Sequence, residues 1–78
     1  MRVELFTRAG CHLCDDARAV LDTVRQARPF ELVVRDVDTD PELAARYGND
    51  VPVVLVGGRA AFRHRLDPGE LALALEGR

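Results

Sequence analysis

At 78 residues the chain has the length of one compact domain, expected to span residues 1–78, with no room for a second folded unit or a linker. Its 47% hydrophobic and 31% charged residues fit a globular chain and exclude disordered or collagen-like classes. Eleven basic residues, all arginine, against 13 acidic ones give a net charge of −2 without a basic run, which argues against a nucleic-acid partner.

Arg2 to Phe6 alternates polar and apolar residues, so Val3 and Leu5 fall on one face of a short strand and Phe6 on the other, as expected of a central strand. Thr7-Arg8-Ala9-Gly10 breaks the pattern. From Cys11 the apolar positions Cys14, Ala17, Val20 or Leu21, and Val24 recur every three or four residues, which predicts an amphipathic helix ending before Pro29. Phe30, Leu32 and Val34 then alternate through a second strand reaching Asp36 or Val37. A strand, long helix and strand in this order predict a parallel, right-handed crossover.

Asp38-Thr39-Asp40-Pro41-Glu42 is a helix start, with Asp40 as cap and Pro41 at the first helical position, and Gly48 is expected to stop that helix after Tyr47. Val53 to Val56 is an uninterrupted apolar run between Pro52 and Gly57-Gly58, a pair suited to a two-residue hairpin turn. It leads into an arginine-decorated strand, Ala60 to Arg65, expected at a sheet edge. Asp67-Pro68-Gly69-Glu70 caps a last helix carrying Leu71, Leu73 and Leu75 and expected to end at Gly77. The order βαβαββα describes an α/β fold with a four-stranded mixed sheet.

No apolar stretch approaches the ~20 residues of a membrane span, and Met1-Arg2-Val3-Glu4-Leu5-Phe6 is too short and charged for a secretion signal, so a cytoplasmic monomer is expected. In that reducing setting Cys11 and Cys14 make a poor structural staple. Closing a four-residue loop contributes roughly 1.9 kcal/mol in the chain-entropy estimate, against about 4.7 for a hundred-residue loop.

Placed where a strand's loop becomes a helix N-terminus, the pair has another use. Unpaired N–H groups and the positive end of the helix dipole favour thiolate at Cys11, moving it from ~8.5 toward the range ~3.5–7.5 of such sites. Cys14, one turn inward, can attack a mixed disulfide formed at Cys11. Other readings stay open. Zinc would need four ligands, and only Cys11, Cys14, His12 and His64 are on offer, with His12 too close to Cys11; no intrachain metal site is expected. An iron–sulfur cluster would have to bridge two chains. Inert cysteines in a binding scaffold are the third alternative. A Cys-x-x-Cys beside a βαβ pattern favours redox chemistry.

Thr7-Arg8-Ala9-Gly10-Cys11-His12-Leu13-Cys14 after the first strand, Val51-Pro52 before the third, and the glycine hairpin together resemble the glutaredoxins of the thioredoxin superfamily. The likeness is greatest to small bacterial glutaredoxin-like proteins with a Gly-Cys-His-Leu-Cys motif, and it spans essentially the whole chain. It implies a thioredoxin-like, three-layer α/β/α fold and a thiol–disulfide oxidoreductase with Cys11 as nucleophile and Cys14 as resolving cysteine. It further implies that Pro52 is a cis-proline facing the cysteines. Val51 would then pair its backbone with an extended substrate, and Arg8 would meet the glycyl carboxylate of glutathione. His12 and Leu13 stand between the cysteines where the family usually has Pro-Tyr, and are expected at the substrate surface, with His12 a candidate proton relay.

The resemblance has gaps on the glutathione side. The family's Gly-Gly before the last helix is replaced by His64-Arg65-Leu66-Asp67-Pro68, in which Asp67 fills the helix start and Pro68 removes a donor. Asp50 beside Val51 adds a negative charge near a site meant for an anion, while Asp15 and Asp16 in the first helical turn complement the dipole and partly counteract thiolate stabilisation at Cys11. Weak glutathione binding and no bound cofactor are therefore expected, with a protein disulfide as substrate and thioredoxin reductase or glutathione as the source of electrons. The rival reading is a non-enzymatic thioredoxin-fold binding module or redox switch.

Overall fold

A computed structural model describes residues 1–76. Strands β1 (Arg2–Thr7), β2 (Glu31–Asp36), β3 (Val53–Val56) and β4 (Arg59–Arg63) form one sheet in the order β2-β1-β3-β4. Helices α1 (His12–Ala27), α2 (Pro41–Tyr47) and α3 (Pro68–Leu75) connect or follow them. The β1–β2 pair is parallel and the other two are antiparallel, so the sheet is mixed as the order βαβαββα requires.

The period-2 alternation of β1 and β3 builds the three layers. Val3, Leu5 and Val54 pack with Ala17 and Leu21 of α1, Phe30 and Leu71 of α3 on one face. Phe6 and Val53 turn to the other face, where Val37, Leu43 and Tyr47 cover them. Phe6 and Tyr47 stack with ring centroids 4.6 Å apart and planes 14° from parallel, pinning α2 to the centre of the sheet. Because β3 is buried on both faces it reads as a continuous apolar run, as central strands do.

Local signals set most boundaries. Asp40 accepts the Glu42 N–H at 2.9 Å with Pro41 in the first turn of α2. Asp67 accepts the Glu70 N–H at 3.0 Å at the start of α3. Gly57 and Gly58 take φ of +59° and +86°, the left-handed pair that a two-residue hairpin with the native strand twist demands.

Several expectations need correction. β4 ends at Arg63 rather than Arg65, because His64 adopts φ +69° and turns the chain out of the sheet. A bulge between Val54 and Leu55 also offsets the β3–β4 register. β4 lies at a sheet edge as expected, and β2 forms the other edge. A 3₁₀ turn, Val37–Thr39, precedes α2, its Asp38 N–H held by the Asp36 carboxylate at 2.9 Å. α2 ends at Tyr47 with Gly48 as its C-cap, as expected, although with φ −55° Gly48 is not a left-handed stop. On α3 Leu71 is buried while Leu73 is exposed, since residues two apart on a helix diverge by about 200°. The expected helix end at Gly77 lies outside the described residues. Among those residues, no helix is long and apolar enough to cross a membrane.

Candidate functional site

Cys11 is the N-cap residue of α1, in extended conformation, and Cys14 lies inside the first turn. The backbone that lifts Cys11 to this position is a loop closed by its own N–H, which donates to the Arg8 carbonyl at 3.3 Å. The two cysteines form a disulfide with their Cα atoms 5.2 Å apart. Cys11 Sγ accepts the Cys14 N–H at 3.1 Å, so the sulfur occupies the place that a serine or aspartate oxygen takes in an ordinary cap. The two sulfurs differ in access: Cys14 is buried at 2% exposure, and Cys11 is partly open. One cysteine can therefore meet an external sulfur while the other is reached only from within.

The register brings the second half of the site to the same end of the sheet. Phe6 pairs with Val53, which sets Val51-Pro52 beside the end of β1 from which the cysteine loop departs. The Val51–Pro52 bond is cis, Pro52 is buried and Val51 half-buried. Among the described residues the Val51 N–H and carbonyl have no backbone partner. The Pro52 carbonyl accepts the His64 N–H at 2.9 Å. That bond ties the proline loop to the segment leaving β4.

His12 and Leu13, in the first turn of α1, are both exposed. Leu13 opens onto a groove of about 280 Å³ that runs along α1 past Asp16, Ala17 and Val20 and is walled on its other side by His64, Arg65 and Leu66. The groove thus begins at Leu13, one of the two residues between the cysteines.

Arg8 is tied by its side chain to two distant parts of the chain. Its Nη2 and Nε donate to the Asp38 carboxylate at 2.9 and 3.0 Å, and its Nη1 donates to the Gly48 carbonyl at 3.0 Å. The hydrogen bond to Asp38, and then its charge, raises the pKa of the guanidinium. Asp38 and Gly48 are contributions that the sequence reading missed. Asp38 lies 30 residues from Arg8, and its stretch of alternating aspartates carries only a helix-start signal. Asp50 is also neutralised locally, by Arg63 Nη1 at 2.7 Å, with His64 Nε2 3.7 Å away.

Residues 2–76 match the family model described as the glutaredoxin-like domain (DUF836). The chain belongs to this glutaredoxin-like family. A glutaredoxin-like protein of Dictyostelium discoideum, a YDR286C homolog, is 32% identical over 82 residues covering 97% of this chain and 76% of its own. The uncharacterized protein Rv0508 of Mycobacterium tuberculosis is 38% identical over 63 residues, 74% of this chain and 65% of that one. Among solved structures, the structural genomics target XcR50 of X. campestris superposes with TM-score 0.79 at 30% identity, over 97% of each chain. Thioredoxin 1 of Thermosipho africanus superposes with TM-score 0.65 at 21% identity, over 97% of this chain and 96% of its own. The glutaredoxin-like protein accordingly has the thioredoxin fold, with a close Cys11–Cys14 pair at its first helix.

Proposed function

We propose that this glutaredoxin-like protein is a thiol–disulfide oxidoreductase acting as a monomer on protein disulfides in a reducing, cytoplasmic setting. The observation that carries the reading is the asymmetry of the cysteine pair. Cys11 caps α1 beside open N–H groups, while Cys14 is buried behind it. In the dithiol form the Cys11 thiolate attacks one sulfur of a substrate disulfide; that S–S bond breaks, and the other substrate sulfur leaves as a thiolate that takes up a proton. Cys14, losing its proton, then attacks Cys11 Sγ, the second substrate sulfur departs, and two electrons have passed from the dithiol to the substrate. A thiol reductant, either glutathione or a thioredoxin reductase, returns the pair to the dithiol.

The open backbone of Val51 supports recognition of an extended polypeptide by strand-like pairing, and exposed His12 and Leu13 lie where such a segment would cross the cysteines. The engagement of Arg8 by Asp38 supports a substrate other than glutathione. The reading holds no bound cofactor.

The test compares single variants on a protein disulfide. Cys11→Ala is expected to abolish exchange, and Cys14→Ala to accumulate a mixed disulfide visible as a mass adduct. Alkylation of reduced Cys14→Ala should half-titrate below the ordinary thiol value of about 8.5. Ordinary titration together with undiminished exchange in Cys11→Ala would overturn the mechanism. Ordinary titration with no exchange in the unsubstituted protein would favour the binding-module reading.

A further inference from the structure

We propose that Asp38 is a specificity-determining residue: its carboxylate occupies the guanidinium of Arg8, a residue of the loop that carries Cys11, and disfavours anionic low-molecular-weight thiols relative to neutral ones. The inference rests on the exchange reaction proposed above. Arg8 shares a turn with the nucleophile, since its carbonyl accepts the Cys11 N–H. Left free, its guanidinium would be a receptor for a carboxylate approaching Cys11.

It is not free. Two of its nitrogens hold Asp38 and the third holds the Gly48 carbonyl, so every donor-bearing nitrogen already has a partner inside the protein. Two other arginines do not replace it: Arg63 is engaged by Asp50 at 2.7 Å, and Arg18 by Asp22 at 3.4 Å. Arg65 has no ionic partner among the described residues, but it shares its groove with the carboxylate of Asp16. An anion arriving at Cys11 therefore meets Asp15 and Asp16 at the helix start and a guanidinium that already carries its counter-charge. The Arg8–Asp38 pair is itself half-exposed, which makes it a competitor that substrate charge can contest rather than a fixed wall.

The experiment reduces the Cys11–Cys14 disulfide with three thiols of different charge: glutathione (anionic), 2-mercaptoethanol (neutral) and cysteamine (cationic). In each case a thiolate attacks Cys11 Sγ and Cys14 leaves as a thiolate that takes a proton. A second thiol then attacks the mixed disulfide at the reagent's sulfur, so two reagent thiols become one disulfide and the protein gains two electrons. The readout is the ratio of the glutathione rate to the 2-mercaptoethanol rate, from which a general change in the reactivity of the pair cancels.

Asp38→Asn keeps the side chain's shape, and the turn persists because it uses the Asp38 backbone N–H and the Thr39 hydroxyl, both directed at Asp36. The ratio is expected to rise about fivefold, the upper end for a half-exposed ion pair, while the cysteamine ratio falls. Arg8→Gln, a second variant, leaves Asp38 bare and should lower the glutathione ratio below that of the unsubstituted protein. Ratios unchanged in both variants, with reduction by 2-mercaptoethanol proceeding, would overturn this inference alone. Failure of all three thiols to reduce the unsubstituted protein would overturn the oxidoreductase reading, and this inference with it.

Discussion

Gly48 illustrates how a single residue serves the site from a distance. Its helical φ means that alanine could adopt the same backbone, so the usual explanation for a glycine after a helix does not apply. Space decides instead. A Cβ there would overlap the Ala44 carbonyl and come within 2.8 Å of Arg8 Nη2. The first neighbour is backbone and cannot rotate away; the second is the guanidinium that holds Asp38. Gly48→Ala is expected to cost about 1–3 kcal/mol, as overpacking does, measured as a lower urea midpoint with an unchanged slope. A midpoint equal to that of the unsubstituted protein would mean that α2 and the Arg8 loop separate easily. While its carboxylate partner is charged, the arginine's own titration does not limit this cluster near neutral pH. A cation whose pKa is raised on folding contributes stability throughout the range below its unfolded value, and loses it only as pH rises through the folded one, which for arginine is far into alkali.

At the scale of elements, what the sequence makes legible is whatever is written within a few residues. The starts of α2 and α3 were readable because Asp40 and Asp67 cap helices with side chains two or three residues from their partners, each followed by proline. The hairpin was readable because only residues tolerant of positive φ fit its turn. The end of β4 was not, since His64 leaves the sheet through a left-handed conformation that its residue type does not announce, held by a hydrogen bond to Pro52, 12 positions earlier. The exposed Leu73 escaped for another reason: a leucine-alanine run names no face until the helix is docked. The caps also give a prediction for α3, which is anchored chiefly by Leu71 and joins α1 over the core. Asp67→Ala removes an acceptor from the Glu70 N–H and should cost about 1 kcal/mol, lowering the thermal midpoint by roughly 4–8 °C for a domain of this size. Asp67→Asn, which keeps an acceptor, should recover most of the loss; equal losses in the two variants would assign the effect to charge at the helix start rather than to the cap hydrogen bond.

For the whole molecule, the reacting half of the candidate site was legible and its support was not. Cys11 and Cys14 announce themselves by spacing and by the helix that follows, whereas the clasp on Arg8 joins residues 30 positions apart that only the packing of α2 on the sheet brings together. The same division bears on what the disulfide does for stability. A domain of this length has a stability of about 4–12 kcal/mol at 0.05–0.15 kcal/mol per residue. The four-residue loop closed by Cys11 and Cys14 accounts for at most about 1.9 kcal/mol of chain entropy. Leu21, wholly buried within the core cluster that joins α1, β1 and α3, is expected to cost about 2–5 kcal/mol when truncated to alanine. Reduction of the unsubstituted protein should therefore leave it cooperatively folded, with a smaller loss of urea stability than Leu21→Ala suffers in the disulfide form. The order of these two losses separates a redox pair, free to cycle on a core that stands without it, from a structural staple; unfolding on reduction alone would assign the cysteines to the second role.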